Sequence, residues 1–297
     1  MSLLDLAVCP SCRAELCRST EPWSCTACRT PFPLDDGKIR VLVIEYDQYK
    51  RKQSAFFDGD VDSEYETVRP RGTPSFHQWL LHEKFRRSVA AVNGELEGAS
   101  VLSVCGGSGL DAEFLADAGA HVLCTDISAG AVKRAAARSF RYGINFEVAV
   151  ADAEALPFKD GCFDFVYVHD GLHHLEQPLC GVIEMARVAT RGVCITEPAE
   201  AVITRLSVRM GISTDEEEAG NTVKRIDARQ VREVLTSAGF ARQNASRYLM
   251  YYGHDPGLPA QVLSQPLAGT AARGAWRAIN AVAGRIGNKL AIQAVRE

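Results

Sequence analysis

The sequence predicts an α/β fold, a doubly wound and mostly parallel sheet preceded by a small cysteine-rich module. From Ser100 onward, short apolar segments alternate with helical ones, which is typical of parallel strands joined by crossover helices. The first apolar segment ends in the glycine-rich turn Gly106-Gly107-Ser108-Gly109 and enters a helix. Near the N-terminus, four cysteines form two C-x2-C pairs. Together these observations predict two units, a metal-stabilised module and a larger sheet domain.

The composition is that of an ordinary globular chain, with 46% hydrophobic and 24% charged residues among 297. This length predicts one main domain with an appendage. A net charge of -4 argues against a protein that coats nucleic acid electrostatically. No apolar run reaches the roughly 18 residues of a membrane span, and the start MSLLDLAVCP has neither a basic leader nor a long apolar core. We therefore expect a cytoplasmic protein without a transmembrane segment.

Residues 1–44 are predicted to form a zinc ribbon. Cys9, Cys12, Cys25 and Cys28 have the spacing C-x2-C-x12-C-x2-C, which can bring four thiolates to one tetrahedral zinc ion. Four sulfur ligands leave no open coordination position, so we expect the zinc to be structural. About 40 residues bury too little apolar surface to hold a fold without such a metal.

The same segment resembles a family of small zinc-ribbon methyltransferase activators, which elsewhere act as separate partner subunits. The resemblance depends on the cysteine pairs, on Pro31-Phe32-Pro33 and on Asp35-Asp36-Gly37. Arg13 and Arg29 stand where that family usually has a glycine after each pair. The resemblance implies a zinc ribbon fused to a methyltransferase domain.

Residues 45–92 are predicted to form a linker and an N-terminal helical cap. Glycines and prolines interrupt residues 59–74, and helices are expected near residues 47–57 and 76–92. Several aromatic side chains here could cover a small-molecule pocket, although packing against the domain is the favoured interpretation. These aromatic residues are Phe56, Phe57, Tyr65, Phe76 and Trp79.

Residues 93–297 are predicted to form the sheet domain, with a C-terminal β-hairpin and a helical insertion at 256–287. Strands are expected near residues 100–105, 121–126, 145–150, 163–169, 192–196, 240–252 and 288–295. Helices are expected near residues 109–118, 128–142, 176–189 and 227–238. Within the insertion, residues 270–287 form an amphipathic segment that could touch a membrane surface or a partner. A helix packed on the sheet with its arginines in water is the favoured interpretation.

A nucleoside-type site is predicted where the first two strands end. The glycines after the first strand let the backbone approach a ligand closely, because they lack a Cβ atom. Asp126 ends the second strand, about where an acidic side chain accepts hydrogen bonds from both hydroxyls of a bound ribose. Since Gly107 to Ala112 also satisfies G-x-G-x-x-A, a nicotinamide or flavin dinucleotide has to be weighed.

The third strand decides against the dinucleotide. Asp152 and the turn Leu156-Pro157-Phe158 precede the strand at 163–169, and this order resembles the class I S-adenosylmethionine-dependent methyltransferases. The resemblance extends from about Val101 to Glu197. It implies a Rossmann-like, seven-stranded sheet whose last strand is antiparallel, with Asp126 on the ribose and Asp152 on the adenine amino group. The cofactor contacts that we expect are Cys105, Gly106, Gly107, Gly109, Asp126, Ile127, Asp152, Ala153 and His169.

Two positions depart from that family. Ser103 replaces the usual acidic residue of the first strand, and Cys105 replaces the first glycine. Because Ser103 cannot offer a carboxylate to the methionine ammonium group, that contact is expected from backbone carbonyls or water.

His169 and Asp170 end the fourth strand, beside the expected position of the transferred methyl group, and are the catalytic candidates. A histidine near its ordinary pKa can accept a proton at neutral pH, and a structural role for His169 is the alternative. A metal site at this cluster is disfavoured because adjacent residues at a strand end project in different directions. His173 and His174 are expected mainly to shape the loop. The side chains expected near the acceptor are Tyr65, His173, Glu197, Tyr252 and His254.

The resemblance implies methyl transfer from S-adenosylmethionine to an O, N or C nucleophile of a small molecule by in-line displacement. Methylation of ribosomal RNA or tRNA bases is an alternative, which would need a basic path from the ribbon to the active site. A noncatalytic, methyltransferase-like binding protein is the second alternative. The sequence is also compatible with a homodimer.

Overall fold

The computed structural model of the chain describes residues 2–59, 62–199, 224–251 and 256–296. Its strands are β1 Leu16–Cys17, β2 Trp23–Cys25, β3 Pro31–Phe32, β4 Leu34–Asp35, β5 Ile39–Val41, β6 Ser100–Ser103, β7 His121–Asp126, β8 Phe146–Val150, β9 Phe163–His169, β10 Ala189–Pro198, β11 Arg242–Tyr248 and β12 Lys289–Val295. Its α-helices are α1 Gln48–Gly59, α2 Ser63–Val68, α3 Ser75–Ser88, α4 Leu110–Asp117, α5 Ala129–Tyr142, α6 Pro178–Val188, α7 Ala228–Ser237, α8 Gly257–Val262 and α9 Pro266–Ala283.

The main sheet has the strand order β11-β12-β10-β9-β6-β7-β8-β5-β4 in the described residues. Strands β10, β9, β6, β7 and β8 are parallel, whereas β12 is antiparallel to both β10 and β11. The predicted seven-stranded, mostly parallel sheet with an antiparallel last strand is therefore confirmed. The sheet is wider than predicted, because β5 pairs in parallel with β8 and β4 pairs with β5.

The sheet core explains why these segments form strands. Leu102, Leu123 and Val166 on three adjacent parallel strands are fully buried. A parallel strand is covered by helices on both faces, so it consists of a nearly continuous apolar run. Helix α5 shows the matching signals at its ends, since the Ser128 side chain accepts a hydrogen bond from the Ala131 N–H and the left-handed Gly143 ends the helix.

The N-terminal ribbon is attached directly to the sheet domain. Strands β1, β2 and β3 form a small antiparallel sheet beside the cysteines. Val8 N–H donates to the Pro157 carbonyl at 2.8 Å, and the Arg13 guanidinium donates to the Leu156 carbonyl at 3.0 Å. Arg13 also pairs with the buried Glu184 at 3.1 Å. The ribbon therefore contacts both the turn that follows Asp152 and helix α6.

The C-terminal insertion packs on the sheet domain through one side of α9. The rings of Trp276 and Trp79 meet edge to face with centroids 5.3 Å apart. Asn280 accepts from the Leu249 N–H at 2.7 Å and donates to the Leu249 carbonyl at 3.1 Å. The expected packing of this amphipathic segment is therefore observed for one of its faces. Among the described residues, no helix combines the length and apolarity needed to cross a bilayer.

Candidate active site and cysteine cluster

A cavity of about 570 Å³ lies at the carboxyl edge of the parallel strands. Ligands bind beyond this edge in open α/β sheets, because the loops there diverge. Most of the residues predicted to bind cofactor or to act in catalysis line this one cavity. They are Cys105, Gly106, Gly107, Asp126, Ile127, Asp152, Ala153, His169 and Asp170.

The glycine-rich turn after β6 leaves the backbone exposed to the cavity. Gly107 has a left-handed φ of 54°, and a Cβ atom on Gly106 would collide with the Cys124 sulfur. Cys105, in place of the family's first glycine, keeps a left-handed φ of 50°. That conformation costs a non-glycine residue roughly 1 kcal/mol or more. The turn therefore keeps the glycine backbone geometry where the sequence has lost the glycine.

Gly109 does not line the cavity, although it was predicted to contact the cofactor. It precedes α4 with a φ of 79°. An added Cβ atom would lie 3.0 Å from the Ala135 Cβ and 3.1 Å from the Phe146 ring. The structure thus gives Gly109 a packing role between α4, α5 and β8, and its cofactor contact stays a prediction.

Asp126 at the end of β7 faces the cavity with its carboxylate held by the backbone. Its Oδ2 accepts from the Gly107 N–H and its Oδ1 from the Ser128 N–H, both at 2.9 Å. Burial raises the pKa of Asp126, and these N–H groups partly oppose that rise. Each carboxylate oxygen retains a further lone pair, so the fixed group can still accept hydrogen bonds from a ligand.

Asp152 lies on the same wall and is paired with a lysine that the sequence did not single out. Lys50 of α1 places its Nζ 2.7 Å from Asp152 Oδ2 and 3.2 Å from Glu154 Oε2. Burial alone would lower the pKa of Lys50, but the two carboxylates outweigh it and raise the pKa to about 12. Lys50 is therefore a cation on the Asp152 side of the cavity.

His169 ends β9 with its side chain fully buried; its Nδ1 has a hydrogen-bond partner, whereas its Nε2 forms no hydrogen bond in the part of the chain that the structure describes. Nδ1 lies 3.1 Å from the Ser88 hydroxyl, whose own proton can go to the Lys84 carbonyl at 3.0 Å. Nε2 lies 3.3 Å from Asp170 Oδ2. Burial lowers the pKa of His169, the Lys84 ammonium lowers it further, and Asp170 opposes both. The imidazole is consequently neutral at pH 7.

Asp170 follows His169 with a left-handed φ of 50° and faces the first residue of β12. The Lys289 ammonium donates to its two carboxylate oxygens at 2.6 and 2.5 Å. Burial would raise the pKa of Asp170, but Lys289 and His169 outweigh burial and hold the pKa well below its usual range. Asp170 is therefore a fixed anion in the cavity wall and a poor proton acceptor.

His173 and Glu197, predicted near the acceptor, are buried beneath the loop and do not line the cavity. Glu197 Oε1 accepts from the Gly171 and Leu172 N–H groups at 2.9 and 2.7 Å. Its Oε2 lies 2.6 Å from His173 Nδ1. This buried carboxylate fixes the loop after β9, which agrees with the expectation that His173 shapes the loop.

The structure describes only one of the other three side chains that were predicted near the acceptor. Tyr65 lies on α2 and does not line the cavity, and Tyr252 and His254 lie outside the described residues. His174 does line the cavity, with its ring edge to face on Phe57 at a centroid distance of 5.3 Å. Phe56 also lines the cavity.

Four charged side chains of the N-terminal cap line the cavity, and no sequence pattern singled them out. They are Lys50, Glu66, Arg69 and Lys84. Lys50, Glu66 and Lys84 lie on α1, α2 and α3, and Arg69 directly follows α2. Ser103, where the family has an acid, is buried below that turn and does not reach the cavity. The N-terminal cap therefore supplies charged side chains to the cavity.

The four predicted cysteine ligands converge in the ribbon. The Sγ atoms of Cys9, Cys12, Cys25 and Cys28 all lie within 4.8 Å of one another, and no disulfide joins them. Three of the sulfur pairs are 3.3, 3.6 and 3.8 Å apart. Four sulfurs about 2.3 Å from one zinc ion would be roughly 3.8 Å apart, so the cluster is compatible with a tetrahedral metal site.

The two arginines that replace the knuckle glycines keep the glycine conformation. Arg13 and Arg29 have φ values of 61° and 64°. Each backbone N–H donates to the carbonyl of the cysteine four residues earlier, at 2.8 Å for Arg13 and 3.2 Å for Arg29. The knuckle turns therefore match the ribbon pattern in backbone, and only Arg13 uses its side chain to bind the sheet domain.

Comparison with known proteins agrees with this architecture. A family model described as a methyltransferase domain matches residues 102–196. Magnesium protoporphyrin IX methyltransferase from Synechocystis PCC 6803 with bound SAH superimposes with a TM-score of 0.55 at 20% identity, over 84% of this chain and 100% of that one. The YcgJ protein from Bacillus subtilis gives 0.52 at 15% identity, over 73% and 99%. The fold is the Rossmann-like class I methyltransferase fold.

Curated sequence relatives match part of this chain. A demethylmenaquinone methyltransferase of Renibacterium salmoninarum is 38% identical over 109 residues, which are 37% of this chain and 44% of that protein. The demethylmenaquinone methyltransferase of Clavibacter sepedonicus is 34% identical over 139 residues, which are 47% and 54% of the two chains. The chain thus spans about half the length of the curated relatives it matches.

Proposed function

We propose that the chain is an S-adenosylmethionine-dependent methyltransferase that acts on a small-molecule acceptor. One observation carries this proposal: a single cavity joins the glycine-rich turn and two carboxylates, Asp126 and Asp152, to a neutral histidine at the next strand end. The methyltransferase domain match spans the same strands.

The residues of the cavity fit the cofactor in chemistry and order. Asp126 is placed to accept from ribose hydroxyls and Asp152 from the adenine amino group, while Gly106 and Gly107 leave room for close backbone approach. When bound, S-adenosylmethionine supplies a methyl group on a positively charged sulfur, which is already activated for displacement. The protein then has to hold a nucleophile in line and keep water out.

His169 is the group we assign to proton transfer. Its neutral imidazole can take a proton from an acceptor oxygen or nitrogen as that atom is methylated. Asp170 is too weak a base for this role because Lys289 holds its pKa well below the usual range, and its negative charge instead stabilises the imidazolium that forms. If the acceptor atom reacts without losing a proton, His169 and Asp170 would only position the acceptor.

A small molecule is favoured as the acceptor by two observations. The aromatic rings of Tyr49, Phe56 and Phe57 line the cavity and offer apolar surface to a compact ligand. The curated relatives that match part of the chain are named as methyltransferases of demethylmenaquinone, which supports a small acceptor over RNA.

We further propose that the four-cysteine cluster binds a structural zinc ion. The spacing of the sulfurs fits a tetrahedral site, and this geometry is the support for the proposal. The thiol pKa values differ within the cluster, since hydrogen bonds centred on Thr30 lower the pKa of Cys28 to about 6 whereas burial raises that of Cys9 to about 12. With four protein ligands such an ion would stabilise the ribbon and take no part in methyl transfer.

Calorimetric titration of the full chain with S-adenosylmethionine tests the cofactor assignment. We expect binding by the wild type, at least tenfold weaker binding by Asp126→Asn and an unchanged affinity for Asp160→Asn, which alters an exposed acid before β9. Absence of binding by the wild type would refute the proposal. Incubation of the enzyme and a tritiated methyl donor with cell extracts, before and after nuclease treatment, then tests the acceptor class. Label that disappears with nuclease would refute a small-molecule acceptor.

A further inference from the structure

The C-terminal insertion presents an apolar surface to solvent on the side away from the sheet. We call this surface the outer face of α8 and α9. Leu267 and Val282 on α9 are 89% and 87% exposed, and Leu258 on α8 is 74% exposed. Its large apolar side chains are Leu258, Val262, Leu267, Ile279, Val282 and Ile286. So many large apolar side chains exposed together mark an interaction site on a globular protein.

The outer face follows from the helical repeat of α9. Leu267, Ala271, Ala278 and Val282 recur at four- and seven-residue steps and are not buried by the sheet domain. Trp276 lies on the opposite side, where it packs on Trp79. The 18 residues of α9 extend about 27 Å, so the apolar strip is as long as the helix.

The charges beside the outer face are all positive. The sequence has no Asp or Glu from residue 256 to 296. Arg285 is exposed. Arg277 is exposed with its guanidinium carbon 6.0 Å from the centre of the Trp79 ring, and Arg273 is half-buried over the same ring at 5.7 Å. Within the described ranges these three arginines have no carboxylate partner. An exposed apolar strip bordered by unpaired cations is typical of helices that lie in the interface of an anionic membrane.

We propose that the outer face of α8 and α9 docks on an anionic phospholipid surface, with Leu267 and Val282 entering the acyl boundary and Arg277 and Arg285 at the headgroups. A second copy of the chain fits less well. Two-fold pairing of this face would place the arginines of both copies together, with no acid on the face to offset them. Nucleic acid fits less well because it would leave the apolar strip in water.

The C-terminal end of α9 leads to the same edge of the sheet as the cavity. Helix α9 leads through residues 284–288 into β12, whose first residue, Lys289, pairs with Pro198 at the carboxyl end of β10. Lys289 is also the lysine that binds Asp170 in the cavity wall. Docking would therefore bring the cavity close to the lipid, so that a lipophilic acceptor could enter from the bilayer. This consequence depends on the proposed function, whereas docking itself does not.

Vesicle co-sedimentation of the full chain without cofactor tests the docking proposal. With vesicles containing about one third phosphatidylglycerol we expect binding that weakens as salt rises, and little binding to pure phosphatidylcholine. R277Q/R285Q should lower the affinity about 25-fold, since each basic residue contributes about fivefold. L267S/V282S should lower it at least tenfold. R229Q on α7 and F140S on α5 change equally exposed side chains elsewhere and should leave the affinity unchanged.

Circular dichroism melting of each variant separates docking from folding, and exposed positions are expected to melt like the wild type. Equal binding to neutral and anionic vesicles, or full binding by R277Q/R285Q, would overturn the proposal. If light scattering showed a wild-type dimer that L267S/V282S dissociates, the outer face would bind a second copy of the chain and the docking proposal would be overturned. RNA binding in an electrophoretic mobility shift that R277Q/R285Q abolishes would overturn the proposal as well. Because no cofactor or acceptor is present, none of these outcomes depends on methyl transfer.

Discussion

The ion pair between Lys289 and Asp170 gives the clearest test of the electrostatics of the cavity. Asp170 sits in a strained, largely buried position where burial alone would favour its neutral form. The ammonium of Lys289, fixed at the start of β12, keeps the carboxylate ionised. Replacing Lys289 by Met keeps the length of the side chain and removes only the charge and its hydrogen bonds.

The expected loss of stability follows from how buried the pair is. The side chains of Lys289 and Asp170 are 12% and 23% exposed, and the two N–O distances are 2.6 and 2.5 Å. Removing one partner of a fully buried pair costs about 3 to 5 kcal/mol, because the remaining charge loses its compensation. The residual exposure of Asp170 places Lys289→Met at the low end, about 3 kcal/mol at pH 7.

The pH dependence distinguishes this cause from lost packing. In the wild type the pKa of Asp170 is depressed, so its contribution to the free energy of unfolding is present above the unfolded value of about 3.9 and is lost below it. In Lys289→Met burial raises that pKa, so the penalty is full at pH 7 and fades as Asp170 takes up a proton in acid. The difference between the two proteins should therefore shrink as the pH falls from 7 towards 4.

Urea unfolding of both proteins between pH 4 and pH 8 measures this difference. Asp170→Asn in the Lys289→Met background should restore part of the lost stability, because it removes the uncompensated charge. Lys133→Met is the matched control, since it removes an exposed lysine near Asp35 and Asp36 and should change the free energy of unfolding little. A difference between wild type and Lys289→Met that stays constant with pH would show that packing, and not charge, is what Lys289 provides.

Three further predictions concern the ribbon and the histidine. Treatment with phenanthroline should remove one zinc ion per chain, as measured by mass spectrometry, and should lower the melting temperature. Cys17→Ser, which changes a cysteine outside the cluster, should behave as the wild type. A metal-free chain with an unchanged melting temperature would contradict a structural zinc. Arg29→Gly should raise the free energy of unfolding by up to about 1 kcal/mol because it relieves a left-handed backbone. Arg13→Gly should lower the free energy of unfolding, because the contacts of Arg13 with the sheet domain are lost. Equal effects of the two variants in urea unfolding would show that Arg13 does not stabilise the contact between the ribbon and the sheet domain. The NMR titration midpoint of His169 should lie below 6.5 and rise in Lys84→Met, and a midpoint that does not respond would exclude the lysine as a cause.

Local sequence patterns were sufficient for the sheet domain because each signal is carried by neighbouring residues. The alternation of apolar strands and helices located the parallel strands. Asp126 was found because it ends β7, and Asp152, two residues after β8, was found through the resemblance to the methyltransferases. The addition of β4 and β5 to the sheet was missed. These strands are two and three residues long, so they contain no periodicity from which pairing with a strand more than one hundred residues later could be inferred.

The charged lining of the cavity could not be predicted for a different reason. Lys50, Glu66 and Lys84 lie on helices whose sequence shows ordinary solvent-facing polar positions. These side chains face the cavity only because those helices pack over it. Packing between separate elements leaves no signal in the sequence of any one element. Glu197 was noticed for its place at the carboxyl end of the fifth strand, but its burial under the loop depends on the conformation of Gly171 and Leu172.

Arg13, Arg29 and Cys105 show that a family pattern can persist in the backbone after it has changed in the sequence. All three stand where the related families have glycine, and all three keep a positive φ between 50° and 64°. Each left-handed non-glycine residue costs roughly 1 kcal/mol or more, so a compensating contact is expected where such a residue is retained. For Arg13 the contacts are visible: its guanidinium reaches the Leu156 carbonyl and Glu184. Since Leu156 belongs to the turn after the cavity-lining Asp152, Arg13 and the Val8 N–H together connect the ribbon to that wall of the cavity.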